Sequence, residues 1–261
     1  EVYIVFFPAL GAMAEIVQTF SGRRLVGRKW FIIAMGLVAI QSFIVWMHHM
    51  FLTSINLPIK TVFMVTTIGI SLPFDLMVFA LIYTMIKGKV RFKTPFLFVL
   101  GALLLFILGG ITGVFLAAIP IDLVLHDTYY VVGHFHWIVM GMIAFAGFGA
   151  IYYWFPIVTG KMYQKRLAKM HFWISEIGVA VTFFAMLLLG YLGMPRRYAT
   201  YEFNGLIAPL AQVTTLHQVA TIGAFIIMLG QLIWVWNLTQ SYLEGPVVED
   251  EDPWNLKETG Q

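Results

Sequence analysis

Cysteine is absent from this sequence of 261 residues, and charged residues are scarce. Without a thiol, the chain cannot build disulfides, iron–sulfur clusters, thiolate-bound zinc or thiolate-bridged copper from its own residues. Only 11% of its residues are charged and 60% are hydrophobic, a balance that excludes a soluble globular domain of this size. The composition is that of a polytopic membrane protein.

An initiator methionine and the basic segment that opens a signal peptide are also lacking. Glu1 and Tyr3 stand directly at the start of an apolar run. We therefore expect the chain to be the second part of a longer polypeptide, entered partway along a helix.

Seven apolar stretches are long enough to cross about 30 Å of hydrocarbon as helices. They predict one all-α membrane domain over residues 1–243, followed by an acidic, solvated tail over residues 244–261 on the inner side. The stretches cover residues 2–20, 30–51, 61–86, 94–118, 128–158, 172–193 and 213–242.

Basic residues are concentrated in three alternate linkers, which hold twelve of the sixteen lysines and arginines. The positive-inside rule places these linkers on the cytoplasmic side of a cell membrane. The twelve residues are Arg23, Arg24, Arg28, Lys29, Lys87, Lys89, Arg91, Lys93, Lys161, Lys165, Arg166 and Lys169.

Several histidines fall near the predicted outer side. His48 and His49 end the second stretch, and His134 and His136 lie near the start of the fifth. Ligand-type residues that converge at one depth indicate a buried metal or heme site, although a single histidine can simply hydrogen-bond a neighbour. On a helix, His134 and His136 lie about 200° apart, so they predict two separate centres, for which paired hemes would fit.

Two pairs of adjacent residues each have two interpretations. His48 and His49 suit copper if a third ligand comes from elsewhere, or one of them is only a hydrogen-bonded neighbour. His126 and Asp127 suit a hard divalent ion, or Asp127 is the N-cap of the fifth helix.

Charged residues inside or beside the apolar stretches are candidates for function. The carboxyls of Glu1 and Asp75 lie within spans, where proton transfer is the functional interpretation. The alternative for Asp75 is a structural role at the kink of Pro73, and the alternative for Glu1 is that it is solvated because the chain begins there. Arg196 and Arg197 suit bidentate hydrogen bonds to carboxylates, or simple snorkelling to the interface.

Five motifs together resemble subunit I of the heme-copper terminal oxidases, the cytochrome c and quinol oxidases. The resemblance covers nearly the whole chain and corresponds to the last seven of the family's twelve core helices. The motifs are EVY at 1–3, FIVWMHHMF at 43–51, GGITGVFLA at 109–117, LHDTYYVVGHFHW at 125–137 and GMPRRY at 193–198.

The resemblance implies the catalytic subunit of a respiratory oxidase that reduces O2 to water and translocates protons. It implies two hemes and one copper. His48 and His49 would bind the copper, His134 the high-spin heme iron and His136 the low-spin heme iron.

Ligand roles near the outer side are also implied by the resemblance. Arg196 and Arg197 would bind heme propionates. His126 and Asp127 would lie at a magnesium or manganese site.

Proton transfer is where the sequence departs from the family. The resemblance implies that Tyr3 supplies an electron and a proton during O–O cleavage, and that Glu1 relays protons. The family places a lysine four residues after a proline in the third span, whereas Met77 stands there in this chain. Methionine cannot relay protons, so we hypothesise a substitute path through Asp75. Its other members are the hydroxyl residues Thr66, Thr67 and Ser71.

Two ligands that the family requires are missing: a third copper histidine and a second low-spin heme ligand. We expect an upstream part of the same subunit, or a separate chain, to supply them. Other expected partners are further oxidase subunits, lipid, and an electron donor that is a cytochrome c, a copper protein or a quinol, with no nucleic acid. Gly133, where alanine is more common in the family, favours a prokaryotic plasma membrane.

Other functions remain open. A nitric oxide reductase of the same superfamily would use iron in place of copper and would lack the tyrosine found here as Tyr3. A cofactor-free transporter would leave the common depth of the histidines unexplained. A structural heme-carrying subunit without oxygen chemistry would contain no copper.

Overall fold

The computed structural model describes residues 2–199, 210–249 and 252–254. Within these ranges the protein is helical and contains no β-strand, as the composition predicts. The helices are α1 (Val2–Ser21), α2 (Arg28–Val45), α3 (Leu57–Gly69), α4 (Ser71–Lys87), α5 (Thr94–Ala117), α6 (Ile119–Leu125), α7 (Tyr129–His136), α8 (Phe145–Thr159), α9 (Lys165–Tyr191) and α10 (Leu210–Glu244).

Two stretches of helix depart from α geometry. A 3-10 turn, Trp46–Met50, continues α2, and a π-helical stretch, Trp137–Ala144, joins α7 to α8. The described residues form 7 segments that are long and apolar enough to cross a membrane, each overlapping one predicted stretch. The prediction of an all-α polytopic membrane protein is therefore confirmed.

The linkers meet at two opposite ends of the bundle, as the alternation of basic residues predicts. At the basic end, the Lys89 N–H donates to the carbonyl of Ser21 over 2.9 Å. At the other end, the Tyr129 N–H donates to the carbonyl of Met194, also over 2.9 Å. We call these the inner and outer ends below.

Small residues let α9 and α10 approach closely. A Cβ added to Gly178 would lie 2.8 Å from the backbone nitrogen of Ile227 and 3.1 Å from the carbonyl oxygen of Gly223. Close backbone contact through small residues is how helices associate in lipid, where burial from water gives no driving force. The packing holds α9 firmly, and α9 in turn supports α7.

Part of the acidic tail is docked against the inner end. Trp254 is only 6% exposed. Its ring stacks on Tyr153 with centroids 5.9 Å apart, and its Nε1 donates to the Tyr153 carbonyl over 3.2 Å. Arg91 donates to the Trp254 carbonyl over 2.6 Å. The expectation of a solvated tail is therefore wrong for residues 252–254, because an apolar ring and a carbonyl acceptor tie them to the bundle.

Replacing Trp254 with alanine is expected to destabilise the protein by about 3–5 kcal/mol, since it empties a buried aromatic site. Trp254→Phe retains the stacked ring and loses only the N–H donor, so about 1 kcal/mol is expected. Thermal unfolding of the detergent-purified protein measures both changes. Equal stability of the alanine variant and the parent would contradict the docking.

Candidate metal centre

His48 and His49 lie on the 3-10 turn that ends the second span. Their Nε2 atoms are 3.0 Å apart. Metal–imidazole bonds are about 2 Å long, so two nitrogens bound to one ion stand close to this separation. This spacing fits the predicted copper pair, and it equally suits a hydrogen bond between the two rings. The copper site therefore stays a prediction.

Thr67 of α3 contacts His48 at its other ring nitrogen, Nδ1. Its Oγ1 lies 3.2 Å from Nδ1 of His48. A hydrogen bond to the second ring nitrogen is the usual way that a ligating imidazole is oriented. Thr67, which the sequence placed in a proton path, therefore contacts a predicted copper ligand directly.

His134 and His136 share one feature that determines their tautomers. Nδ1 of His134 lies 3.0 Å from the carbonyl oxygen of Gly109, and Nδ1 of His136 lies 2.8 Å from that of Val132. A carbonyl oxygen can only accept, so each of these bonds forms with the proton on Nδ1. The Thr112 hydroxyl, 3.0 Å from Nδ1 of His134, donates to the same Gly109 carbonyl and can accept from that N–H. Each Nε2 then presents its lone pair, which is the form in which imidazole binds a metal.

The two rings face different neighbours, as their separation around the helix predicts. His134 faces α5, where a Cβ added to Gly113 would lie 2.8 Å from its Cε1 atom. His136 faces α9, where its ring stacks on Phe183 with centroids 4.6 Å apart and planes tilted by 15°. One helix therefore directs two imidazole rings toward different helices, and Gly113 of the 109–117 motif gives the His134 ring its space.

The histidines of different spans are neighbours at the outer end. His134 lies within electrostatic range of both His48 and His49. His49 also lies within range of Arg196 and His126. The predicted convergence at one depth is therefore present.

A π-helical stretch begins directly after His136 and runs from Trp137 to Ala144. Such stretches occur frequently at functional sites, because the wider turn redirects the side chains around it. Residue periodicity does not predict it, since the apolar run is continuous. It follows both candidate heme ligands immediately, so it sets how α7 and α8 are oriented to each other.

The outer linkers carry two acid–base pairs. Arg196 binds Asp127 through Nε at 2.7 Å and Nη2 at 2.6 Å from Oδ1. His126 Nδ1 lies 2.9 Å from Oδ2 of Asp122, a buried carboxyl that the sequence analysis missed. Its spacing of four residues before His126 is the signal that could have found it.

These pairs bear on the alternatives left open for His126 and Asp127. The N-cap of α7 is Thr128, whose side chain accepts from the Tyr130 N–H, so the capping interpretation of Asp127 is wrong. Among the described ranges, no group of three or more His, Cys, Asp or Glu residues is placed to hold a metal. The magnesium or manganese site stays a prediction.

The electrostatics of the two carboxyls differ. The hydrogen bond from Arg196 holds the pKa of Asp127 below its ordinary value, against a smaller opposing effect of burial. Burial raises the pKa of Asp122, and the hydrogen bond with His126 offsets this only partly.

Comparisons with known proteins agree with this geometry. The sequence profile described as Cytochrome C and Quinol oxidase polypeptide I matches residues 1–226. The chain belongs to this family. The cytochrome c oxidase polypeptide 1 of Halobacterium salinarum is 52% identical over 261 residues, which is 100% of this chain and 43% of that protein. The heme-copper oxidase subunit I+III of Aeropyrum pernix is 42% identical over 255 residues, 98% of this chain and 30% of that protein.

A solved structure, described as a cryo-EM structure of a heme-copper terminal oxidase dimer, has the same fold. It superposes with a TM-score of 0.79 at 25% identity, covering 99% of this chain and 52% of that one. The resemblance to subunit I of the heme-copper oxidases is thus confirmed. The chain spans less than half the length of the two relatives named above.

Of the remaining predicted site residues, apart from those of the hypothesised proton path, the structure describes Tyr3 and Arg197. Glu1 lies outside the described residues. Tyr3 is half-buried between Phe7 and Phe74, each with its ring centroid 6.5 Å away. Arg197 is exposed and has a positive φ of 61°.

The hypothesised proton path is not joined by hydrogen bonds between its members in the described part of the chain. Asp75 is exposed on α4, whereas Met77, two residues on, is 1% exposed in the core. Thr67 instead meets His48, as described above. The remaining two hydroxyls bond carbonyls of their own helical segment, Thr66 that of Phe63 and Ser71 that of Ile68.

The Asp127 pair predicts a pH dependence. Because the pKa of Asp127 is lowered on folding, its stabilisation is present above the ordinary aspartate pKa of about 4 and is lost as the pH falls through the folded value. The side chain is 57% exposed, so the effect is at most about 1 kcal/mol. Asp127→Asn should therefore unfold at a lower temperature than the parent at neutral pH and at the same temperature in acid. The double variant Asp127→Asn, Arg196→Gln is the control, and a difference that persists in acid would contradict the pairing.

Proposed function

We propose that this chain is the second part of the catalytic subunit of a respiratory terminal oxidase. The complete subunit reduces O2 to water at a heme–copper centre and couples this reaction to proton translocation. The observation that carries the proposal is the pair of Nδ1 hydrogen bonds of His134 and His136. They leave two oriented imidazole nitrogens facing opposite sides of one helix.

In this proposal, His48 and His49 bind copper, His134 binds the high-spin heme and His136 binds the low-spin heme. When bound, the hemes and the copper supply the electron transfer to oxygen. The chain's own part is to orient the ligands. Thr67 supports His48, and the Gly109 carbonyl holds His134 with Nε2 unprotonated.

Other residues have supporting roles in the proposal. Arg196 and Arg197 bind heme propionates by charge-assisted hydrogen bonds, and Asp127 fixes the guanidinium of Arg196. Tyr3 supplies a proton and an electron from the packed interior of α1, with Glu1 as the proton relay beside it.

The proposal requires partners. An upstream part of the subunit supplies the third copper ligand and the second low-spin heme ligand, in line with the share of each relative that this chain leaves uncovered. Further oxidase subunits and a donor, which is a cytochrome c, a copper protein or a quinol, complete the complex. We place it in a prokaryotic plasma membrane with the basic inner linkers toward the cytoplasm.

The test is metal and heme analysis of the purified complete complex, with reduced and CO-bound visible spectra. Two hemes and one copper per copy, with CO bound to one heme, are the expected result. Iron in place of copper would indicate a nitric oxide reductase. A featureless visible spectrum would indicate a transporter and overturn the proposal.

A further inference from the structure

Glu176 is a carboxyl inside the sixth membrane span that none of the roles above uses. Its Oε2 atom is buried and has no hydrogen-bond partner among the described residues. A Cβ added to Gly101 of α5 would lie 2.6 Å from that oxygen and 2.9 Å from a ring carbon of Phe172. This carboxyl oxygen therefore occupies an apolar niche that exists because residue 101 has no side chain, while the Glu176 side chain as a whole is partly exposed.

The niche lies far from both ends of the span. Helix α9 runs from Lys165 to Tyr191. At 1.5 Å per residue, Glu176 is about 16 Å along the helix from its inner end. Placing an ionisable side chain at this depth of a membrane costs free energy, so such a residue usually has a partner or a function.

The helix periodicity relates Glu176 to a predicted heme ligand. Phe183 follows it by seven residues, close to two full turns, so both side chains point from the same face of α9. Phe183 stacks on His136 with ring centroids 4.6 Å apart. Glu176 thus lies about 10 Å inward of the residue that covers His136.

Few titratable groups face this niche. Helix α5 and the π-helical stretch contain none. On α8 the facing group is Tyr152, whose hydroxyl lies 3.1 Å from Nδ1 of His171, five residues before Glu176 on α9. On α7 it is His136. The titratable residues of α10 lie at its two ends, His217 outside, and Tyr242 and Glu244 inside.

We propose that Glu176 binds and releases a proton in step with the oxidation state of the low-spin heme held by His136. This inference rests on the proposed function. The heme that His136 would hold would supply the change of charge, by gaining one electron from the donor and later passing it on. When that charge is added, the Glu176 carboxylate takes up a proton from the inner aqueous side and becomes a neutral acid, and it releases the proton when the charge has left.

The physical reason is the absence of a compensating charge. An unpaired carboxylate in an apolar niche is disfavoured, and an added electron nearby disfavours it further. Protonation therefore follows reduction. Because charges at this distance in a water-poor interior are little screened by salt, the linkage should persist at high ionic strength.

The test uses the complete oxidase with Glu176→Gln, which keeps the shape and removes the titration. In the parent, the midpoint potential of the low-spin heme is expected to fall as the pH rises, and the reduced-minus-oxidised infrared spectrum should contain a protonated-carboxyl band. Glu176→Gln should lose that band and the larger part of the pH slope. Glu176→Asp should retain both with a displaced band, and the neighbouring Ser175→Ala should leave both unchanged.

The possible results distinguish a failure of the role proposed for Glu176 from a failure of the proposed function. A pH-independent potential in the parent, or an unchanged slope and band in Glu176→Gln, overturns the role of Glu176 and leaves the oxidase proposal intact. A parent without a low-spin heme overturns the proposed function itself. If Glu176→Gln does not assemble, the infrared band and slope of the parent and of Glu176→Asp still decide the question.

Discussion

His48→Ala, introduced into the complete subunit, is expected to lower oxygen turnover by more than about 100-fold. Loss of a residue that only supports a metal ligand costs 10–100-fold, so loss of a ligand itself should exceed that range. In the proposed site this change leaves His49 and the upstream histidine, two ligands in place of three, so most of the copper should be lost. Copper content per heme, oxygen consumption and CO spectra measure the change, and CO binding to the high-spin heme should survive.

Two matched variants grade this result. Thr67→Val removes the hydroxyl that lies 3.2 Å from His48 Nδ1, and oxygen turnover is expected to fall by about 10–100-fold. Thr53→Val removes an exposed hydroxyl that bonds only the Met50 carbonyl, and no change is expected. Full copper occupancy in His48→Ala would show that the pair is structural.

Gly190→Val is expected to destabilise the protein by about 3 kcal/mol or more and to release both hemes. A Cβ at Gly190 would collide with the backbone nitrogen and Cα of Tyr130, at the start of α7. Overfilled sites usually cost about 1–3 kcal/mol, and backbone cannot rotate away as a side chain can. The helix that would move carries His134 and His136, so both heme sites are affected together.

Gly36→Ala is the matched control for this prediction. A Cβ at Gly36 meets nothing within 4 Å, so heme content should equal that of the parent and stability should not fall, since alanine favours a helix over glycine. Heme spectra after purification and thermal unfolding measure both variants. Normal heme content in Gly190→Val would show that α7 can shift without disturbing its ligands.

The sequence predicts well what depends on length and periodicity. Span length alone located seven membrane segments, and the helical repeat placed His134 and His136 on opposite sides. Family resemblance added the expected ligands of each centre but not the contacts that orient them. The carbonyls of Gly109 and Val132, which determine the tautomers, are backbone groups and leave no trace in residue identity.

Features that depend on packing between distant segments were not predictable. The docking of Trp254 on Tyr153 joins residues about a hundred positions apart, and acidic composition favoured solvent for that tail. The adjacent residues His126 and Asp127 do not share one site. His126 pairs with Asp122, and Asp127 pairs with Arg196. Asp75, hypothesised on a proton path in place of the family's lysine, is exposed on α4, whereas Thr67 contacts His48.

The docked tail also bears on the order of assembly. Trp254 follows the last span in the sequence, yet it rests on Tyr153 of α8 and on Arg91 between α4 and α5. The site on which Trp254 packs is complete only after those earlier spans have been inserted and have come together. Protection of this tryptophan from a water-soluble protease or quencher would therefore report that biogenesis of the bundle has finished.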